Sequence, residues 1–252
     1  MKCREEGFTL VELSIVLVVV GVLASAGWSL LKPSLELTEK IKIERQLQSI
    51  EKSIITFALN NYRLPCPDTN GDGYEENCAT SLGIKVGGVP FTTLGLTGRE
   101  VIARKTIYGV YRGAGVLDLT LLQERTGNTP GEVDYKSLGD LLKALDSVSS
   151  QPVSGSQIFI TGDGVRTGSE NCTSNQVSNA AFVLSSGGVR SMNGDANLFD
   201  GINTSLRSNG TGAVCFASPD KMSNATYDDL VKSMGVNALK GQLLSLGYAL
   251  KN

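Results

Sequence analysis

The sequence predicts an α+β protein, with a long N-terminal helix packed on the antiparallel β-sheet of a globular head. Three observations support this fold class. Residues 8–31 are almost entirely apolar, and the residues after them keep apolar side chains at helical spacing up to about Asn60. Beyond Pro65 the chain is rich in Gly, Ser, Thr and Asn and carries short β-branched segments, which is typical of strands joined by loops.

The first element is a predicted transmembrane helix over residues 8–31. No charged residue occurs from Leu13 to Leu31, and a helix of that length measures about 28 Å, close to the roughly 30 Å hydrocarbon core. Lys2 and Arg4 precede it, which favours a cytoplasmic N-terminus. The alternative is a secretory signal peptide cut within residues 24–27, but the apolar run is longer than such peptides usually have.

The second element is an amphipathic helix over residues 32–62. We expect Pro33 to kink the helix or to mark a local break, and Pro65 and Pro67 to follow its end. The apolar side chains fall at spacings of three and four residues and form one stripe for a core: Ile43, Leu47, Ile50, Ile54 and Phe57.

The head is predicted over residues 63–252. Four segments read as strands that pair antiparallel: Thr106–Arg112, Ser156–Thr161, Ala180–Ser186 and Gly212–Ser218. Two segments read as helices, Val133–Val148 and Thr226–Tyr248, and Gly235 is a candidate break in the second.

Four cysteines follow the apolar run, and Cys3 precedes it. An even number on one side of a membrane predicts two disulfides in an oxidising compartment. One bridge would close the loop from Cys66 to Cys78, and Cys172 with Cys215 would be the remaining pair. Other pairings and four free thiols also fit the sequence. Zinc is disfavoured by the long spacings and the lack of histidine.

Asp68, Asn70 and Asp72, followed by Gly73, match the first half of an EF-hand loop and make a candidate calcium site. The second half fails, because Ala79 stands where a bidentate glutamate is expected; Glu75 and Glu76 are possible substitutes. An Asx/Gly-rich turn without metal is the alternative. Four later aspartates either ligate a second metal or are solvated at the surface: Asp195, Asp200, Asp228 and Asp229.

The composition argues against catalysis and nucleic-acid binding. The chain has no histidine, a net charge of -2 and a pI near 5.4. It therefore lacks the commonest general base and metal ligand, as well as the basic surface that nucleic acids require. No nucleotide-binding loop or nucleophile motif occurs in it, so we predict that the protein is not an enzyme.

Glu12 stands at the start of the apolar run. A carboxylate within the hydrocarbon core costs about 2.5–3.5 kcal/mol on insertion scales, and such residues are usually functional. Either Glu12 lies close enough to the interface to stay hydrated, or it is buried with a positive partner. The segment itself contains no such partner.

The stretch "EEGFTLVELSIVLVVVGVLA" resembles the N-terminus of bacterial type IV prepilins and type II secretion pseudopilins. The resemblance implies that a prepilin peptidase removes residues 1–7 by cutting between Gly7 and Phe8, and that Phe8 is then N-methylated. It also implies that Glu12, the fifth residue after the cut, neutralises the Phe8 amine of a neighbouring subunit. Removal of the leader also removes Cys3.

The resemblance implies a pilin-like fold and a structural subunit of a pilus or pseudopilus. The large head, with its extra loops and two expected disulfides, favours a minor subunit. Its partners would be other pilin or pseudopilin subunits, the prepilin peptidase and the inner membrane. The protein would cross that membrane once, with its head in the periplasm, before it enters a filament that can extend outside the cell. The alternative is a single-pass anchored binding module or adhesin that does not polymerise.

Overall fold

The computed structural model describes residues 9–80, 83–96, 105–162, 170–192, 194 and 197–249. For residues 24–35 and 248–249 it describes the backbone alone. The chain divides into two compact units, Met1–Lys42 and Ile43–Asn252. The predicted boundaries of leader, membrane segment, amphipathic segment and head stay predictions.

Three α-helices and six strands are described, and they establish the predicted α+β class. The helices are α1 (Leu10–Asn61), α2 (Leu138–Ser149) and α3 (Val236–Ala249). Two short 3₁₀ turns cover Gly115–Leu117 and Gly201–Ser205. The strands are β1 (Val86–Gly88), β2 (Thr106–Val110), β3 (Phe159–Thr161), β4 (Gln176–Ser186), β5 (Cys215–Phe216) and β6 (Leu230–Gly235).

The part of α1 within the second unit carries the predicted apolar stripe. Ile43, Leu47, Ile50 and Ile54 are buried and belong to the core cluster, whereas Phe57 is half-buried. The guanidinium carbon of Arg63 lies 5.0 Å from the centroid of the Phe57 ring. A cation–π contact therefore covers Phe57, the last residue of the stripe. The helix α1 continues through Pro33, so the break that the sequence offered as an alternative to a kink does not occur there.

The six strands form one mixed sheet in the order β1-β2-β4-β3-β5, with β6 paired to β4. All pairs are antiparallel except β3 with β5, which is parallel. The sequence predicted only antiparallel pairing, and the direction of β5 could not be read from its two residues. The long strand β4 is central, because β2, β3 and β6 all pair with it.

The start of α2 lies five residues later than the sequence predicted. Lys136 has a positive φ of 52°, and Ser137 is the N-cap. Ser137 accepts a hydrogen bond from the N–H of Gly139, while Asp140 accepts one from the N–H of Ser137 at 2.8 Å. This capping box sets the helix start, so Val133 lies outside it.

The predicted helix Thr226–Tyr248 is wrong in its first part. Leu230–Gly235 form β6, and the helix begins only at Val236. Val231 pairs with Ser185 and Met234 with Phe182 of β4. The segment is therefore a strand because it pairs along one edge of the buried strand β4. Lys232 also forms an ion pair with Glu51 of α1 at 2.6 Å. These long-range contacts outweigh a local helical pattern.

Candidate functional site

Thr9 and Glu12 cap the N-terminal end of α1. Thr9 Oγ1 accepts a hydrogen bond from the N–H of Glu12 at 3.2 Å. Glu12 Oε2 in turn accepts from the N–H and the hydroxyl of Thr9, at 3.0 and 2.9 Å. Glu12 therefore has partners within its own chain. The sequence signal for them is the threonine three residues earlier, which makes the Thr-x-x-Glu capping pattern.

Both of these bonds to Glu12 end on Oε2. Among the residues that the structure describes, Oε1 accepts no hydrogen bond, and the side chain is exposed. Gly7 and Phe8 lie outside the described residues, so cleavage between them and methylation of Phe8 stay predictions. The cap holds one carboxylate oxygen in a fixed direction and leaves the other available to an external donor.

The first turns of α1 expose apolar side chains on every face. The exposed fraction is 85% for Leu10, 58% for Ile15 and 66% for Leu23, and the large apolar residues between them are similarly exposed. A continuous apolar surface of this kind marks contact with lipid or with another protein. Within the part of the chain that the structure describes, no helix has the length and apolar character needed to cross a membrane.

Cys66 and Cys78 form a disulfide that closes a loop directly after α1, with a Cα–Cα distance of 6.0 Å. The guanidinium of Arg63 donates two hydrogen bonds to the Glu75 carboxylate in this loop, at 2.6 and 2.7 Å. Glu75 also accepts from the N–H of Cys66 at 3.0 Å. Glu76 accepts from the hydroxyl of Thr69 at 2.8 Å. Both glutamates named as substitute calcium ligands thus have partners in the protein.

The carboxylate of Asp68 is buried, and its two oxygens accept from the N–H groups of Gly71 and Gly73 at 2.7 and 2.9 Å. Asn70 Oδ1 accepts from the N–H of Asp72 at 2.9 Å. Asp72 Oδ1 accepts from the N–H of Tyr74 at 2.8 Å. These oxygens organise an Asx-type turn, the alternative that the sequence left open. Calcium at this loop stays a prediction.

Cys172 and Cys215 form the second disulfide, with a Cα–Cα distance of 5.8 Å. It joins the turn before β4 to β5, because Cys172 precedes β4 and Cys215 begins β5. The structure thus pairs all four cysteines that follow the apolar run. The sequence left other pairings open, since disulfide geometry depends on Cα positions that only the fold supplies.

Sequence reasoning missed the ion pair between Arg112 and Asp118. Their side chains are 2% and 5% exposed and approach to 2.9 Å. Arg112 also donates to the carbonyl oxygens of Cys78 and Ile84, at 2.8 and 2.9 Å, and so links the disulfide loop to the sheet. The available signal was a charged residue at the end of an otherwise apolar strand.

Asp200, Asp228 and Asp229 come together in the head, whereas Asp195 lies outside the described residues. One oxygen of each carboxylate lies within 4.8 Å of an oxygen of both others. Asp200 and Asp229 are 0% and 5% exposed, so solvation at the surface, one of the two alternatives that the sequence left open, does not apply to these two. Asp200 precedes the 3₁₀ turn Gly201–Ser205, and the other two precede β6.

Backbone N–H groups orient this acidic cluster. Asp200 accepts from Met192 and from Asp228, each at 3.1 Å. Asp229 Oδ2 accepts from the N–H of Asp200 at 3.0 Å and from the amide of Asn203 at 2.9 Å. Burial raises the pKa of Asp229 to about 7, and it also raises the pKa of Asp228. The neighbouring charge of Asp200 acts in the same direction on both.

A comparison with known protein families matches residues 2–28 to the prokaryotic N-terminal methylation motif. Comparisons with curated proteins and with solved structures find no match. The matched segment contains the predicted cleavage site, the capped Glu12 and the exposed apolar turns of α1. Proteins with this motif are generally structural rather than enzymatic, and the motif implies anchoring in the inner membrane through the N-terminal helix. Residues 2–28 therefore carry the N-terminal signal of type IV pilins and pseudopilins.

Proposed function

We propose that the protein is a structural subunit, a minor pilin or a pseudopilin, of a type IV pilus or a type II secretion pseudopilus. The observation that carries the proposal is the methylation motif over residues 2–28. In this proposal prepilin peptidase cuts between Gly7 and Phe8, and Phe8 becomes an N-methylated terminus. Residues 8–31 span the inner membrane before assembly, and residues 63–252 form the exported head.

Assembly proceeds through the apolar surface of α1. The side chains from Leu10 to Leu23 that are exposed in the single chain lie first against lipid and then against neighbouring helices of the filament. The Phe8 amine of one subunit meets Glu12 of another. A buried ammonium and a buried carboxylate are each costly alone, so pairing them sets the axial register of adjacent subunits.

The capping geometry supports this role for Glu12. Thr9 uses only Oε2, which leaves Oε1 for the neighbour's amine. The two disulfides agree with a head folded outside the cytoplasm, because such bonds persist in oxidising compartments. No nucleotide-binding motif occurs in the chain, so the energy for assembly would come from a separate ATPase.

The first test is mass spectrometry of the N-terminal peptide from protein made in its own host. We expect a peptide that begins at methylated Phe8. An intact Met1 terminus, or a terminus within residues 24–27, would contradict processing by prepilin peptidase. The anchored or secreted binding module would then replace the filament subunit.

The second test separates pairing from capping. Glu12→Ala should leave membrane insertion intact and reduce the amount of protein in sheared filaments at least tenfold. Thr9→Ala removes the two hydrogen bonds of the hydroxyl but keeps the carboxylate and the backbone N–H that binds it, so it should assemble far better than Glu12→Ala. Glu39→Ala is the matched control, because Glu39 is exposed and only approaches Lys42, at 3.8 Å. Equal defects in Glu12→Ala and Thr9→Ala would show that the cap, not the intersubunit pair, matters.

A further inference from the structure

We propose that Asp200, Asp228 and Asp229 bind one Ca²⁺ ion that ties the 3₁₀ turn Gly201–Ser205 to the start of β6. The site lies in the unit Ile43–Asn252 and is independent of the proposed filament function. It is also distinct from the loop of Asp68, whose carboxylate oxygens are occupied by backbone N–H groups.

The spacing of the three carboxylates fits a cation of this size. Ca²⁺–oxygen distances are about 2.4 Å, so two ligands on opposite sides of the ion lie about 4.8 Å apart. One oxygen from each of the three aspartates falls within 4.8 Å of the others. Carboxylates are the hard oxygen donors that Ca²⁺ prefers.

Two oxygens of the cluster are buried without a hydrogen-bond donor, Asp228 Oδ1 and Asp229 Oδ1. Asp229 as a whole is only 5% exposed, so water does not solvate it freely. A buried carboxylate oxygen without a partner is costly, and a bound cation would satisfy both. The opposite oxygen of each carboxylate is held, by the N–H of Arg190 at 3.1 Å for Asp228 and by that of Asp200 at 3.0 Å for Asp229.

The described ion pairs bring no lysine or arginine side chain to these three carboxylates. Lys221, which lies over the Tyr227 ring at 3.8 Å, is paired with Glu170 instead. Gly188 packs directly over Asp228, since a Cβ there would overlap Oδ1. The three carboxylates thus share a site without a cationic side chain, and the rival explanation to a bound cation is a proton shared between them.

Calorimetric titration of the EDTA-treated full chain in detergent with CaCl₂ tests the site. We expect one site with a dissociation constant near 10⁻⁴ M, in the range of extracellular calcium modules, and binding of Mg²⁺ at least tenfold weaker. Addition of 10 mM CaCl₂ should raise the melting temperature by about 5–10 °C. The absence of both heat and melting shift would overturn the proposal and leave the shared proton.

Asp228→Asn removes one ligand charge and keeps an acceptor for the Arg190 N–H, so the variant should fold, which near-UV circular dichroism checks. Its calcium affinity should fall at least tenfold. Gly188→Ala, which displaces the Asp228 carboxylate, should weaken binding as well. The matched control is Asp72→Asn, in the other candidate loop. Loss of binding in Asp72→Asn with normal binding in Asp228→Asn would assign calcium to that loop and overturn the proposal.

Discussion

Replacing Arg112 by methionine should destabilise the head strongly, because it leaves the Asp118 carboxylate buried without its countercharge. The two side chains are 2% and 5% exposed, and the ion pair is 2.9 Å long. Removing one partner of a buried pair typically costs about 3–5 kcal/mol. The carbonyl oxygens of Cys78 and Ile84 would also lose their donor, which places the expected cost at the upper end of that range.

The assay is urea denaturation of the full chain in detergent, followed by circular dichroism. Lys240→Met is the control, since the Lys240–Asp146 pair is 32% and 51% exposed and joins two surface helices. That control should cost less than about 1 kcal/mol, because solvent screens exposed ion pairs.

A double variant, Arg112→Met with Asp118→Leu, separates the cost of the unpaired Asp118 charge from the loss of the Arg112 side chain. It removes the unpaired charge, so it should be more stable than Arg112→Met alone. The hydrogen bonds from Thr120 to Asp118 are lost in the double variant, which limits the recovery. A buried charge pair is not what stabilises this region if Arg112→Met costs no more than Lys240→Met, or if the double variant is less stable than the single one.

Three further predictions concern the head. Replacing Cys172 and Cys215 by alanine opens a loop of 43 residues and should cost about 4 kcal/mol in the chain-entropy model, read from urea midpoints. Ile54→Ala should cost about 2–5 kcal/mol in the same assay because Ile54 is fully buried, whereas Thr56→Ala, on the exposed face of α1, should cost less than about 1. In EDTA the contribution of Asp229 to stability should fall by about 3 kcal/mol between pH 4 and pH 7, because folded Asp229, with its pKa near 7, keeps a proton that the unfolded chain loses near 3.8. Asp229→Asn should flatten this slope, and parallel pH profiles would contradict it.

The α+β class could be predicted because its signals are local. A helical stripe such as Ile43, Leu47, Ile50 and Ile54 depends only on the period of the α-helix, and the structure buries all four. The strand segments were located, but three of the four are shorter than predicted; β4 instead extends back to Gln176. Strand ends depend on where a partner stops pairing, which no local pattern records.

The N-terminal signal was determined by the sequence alone. Membrane insertion and cleavage depend on a contiguous stretch of chain, so Gly7, Phe8, Glu12 and the apolar run can be read without a fold. Only the tertiary structure decided that Leu230–Gly235 is a strand and that Arg112 is buried with Asp118. It also decided that Asp200 meets Asp228 and Asp229. These outcomes depend on residues far apart in the chain, and a contact between distant segments exists only once the chain has folded.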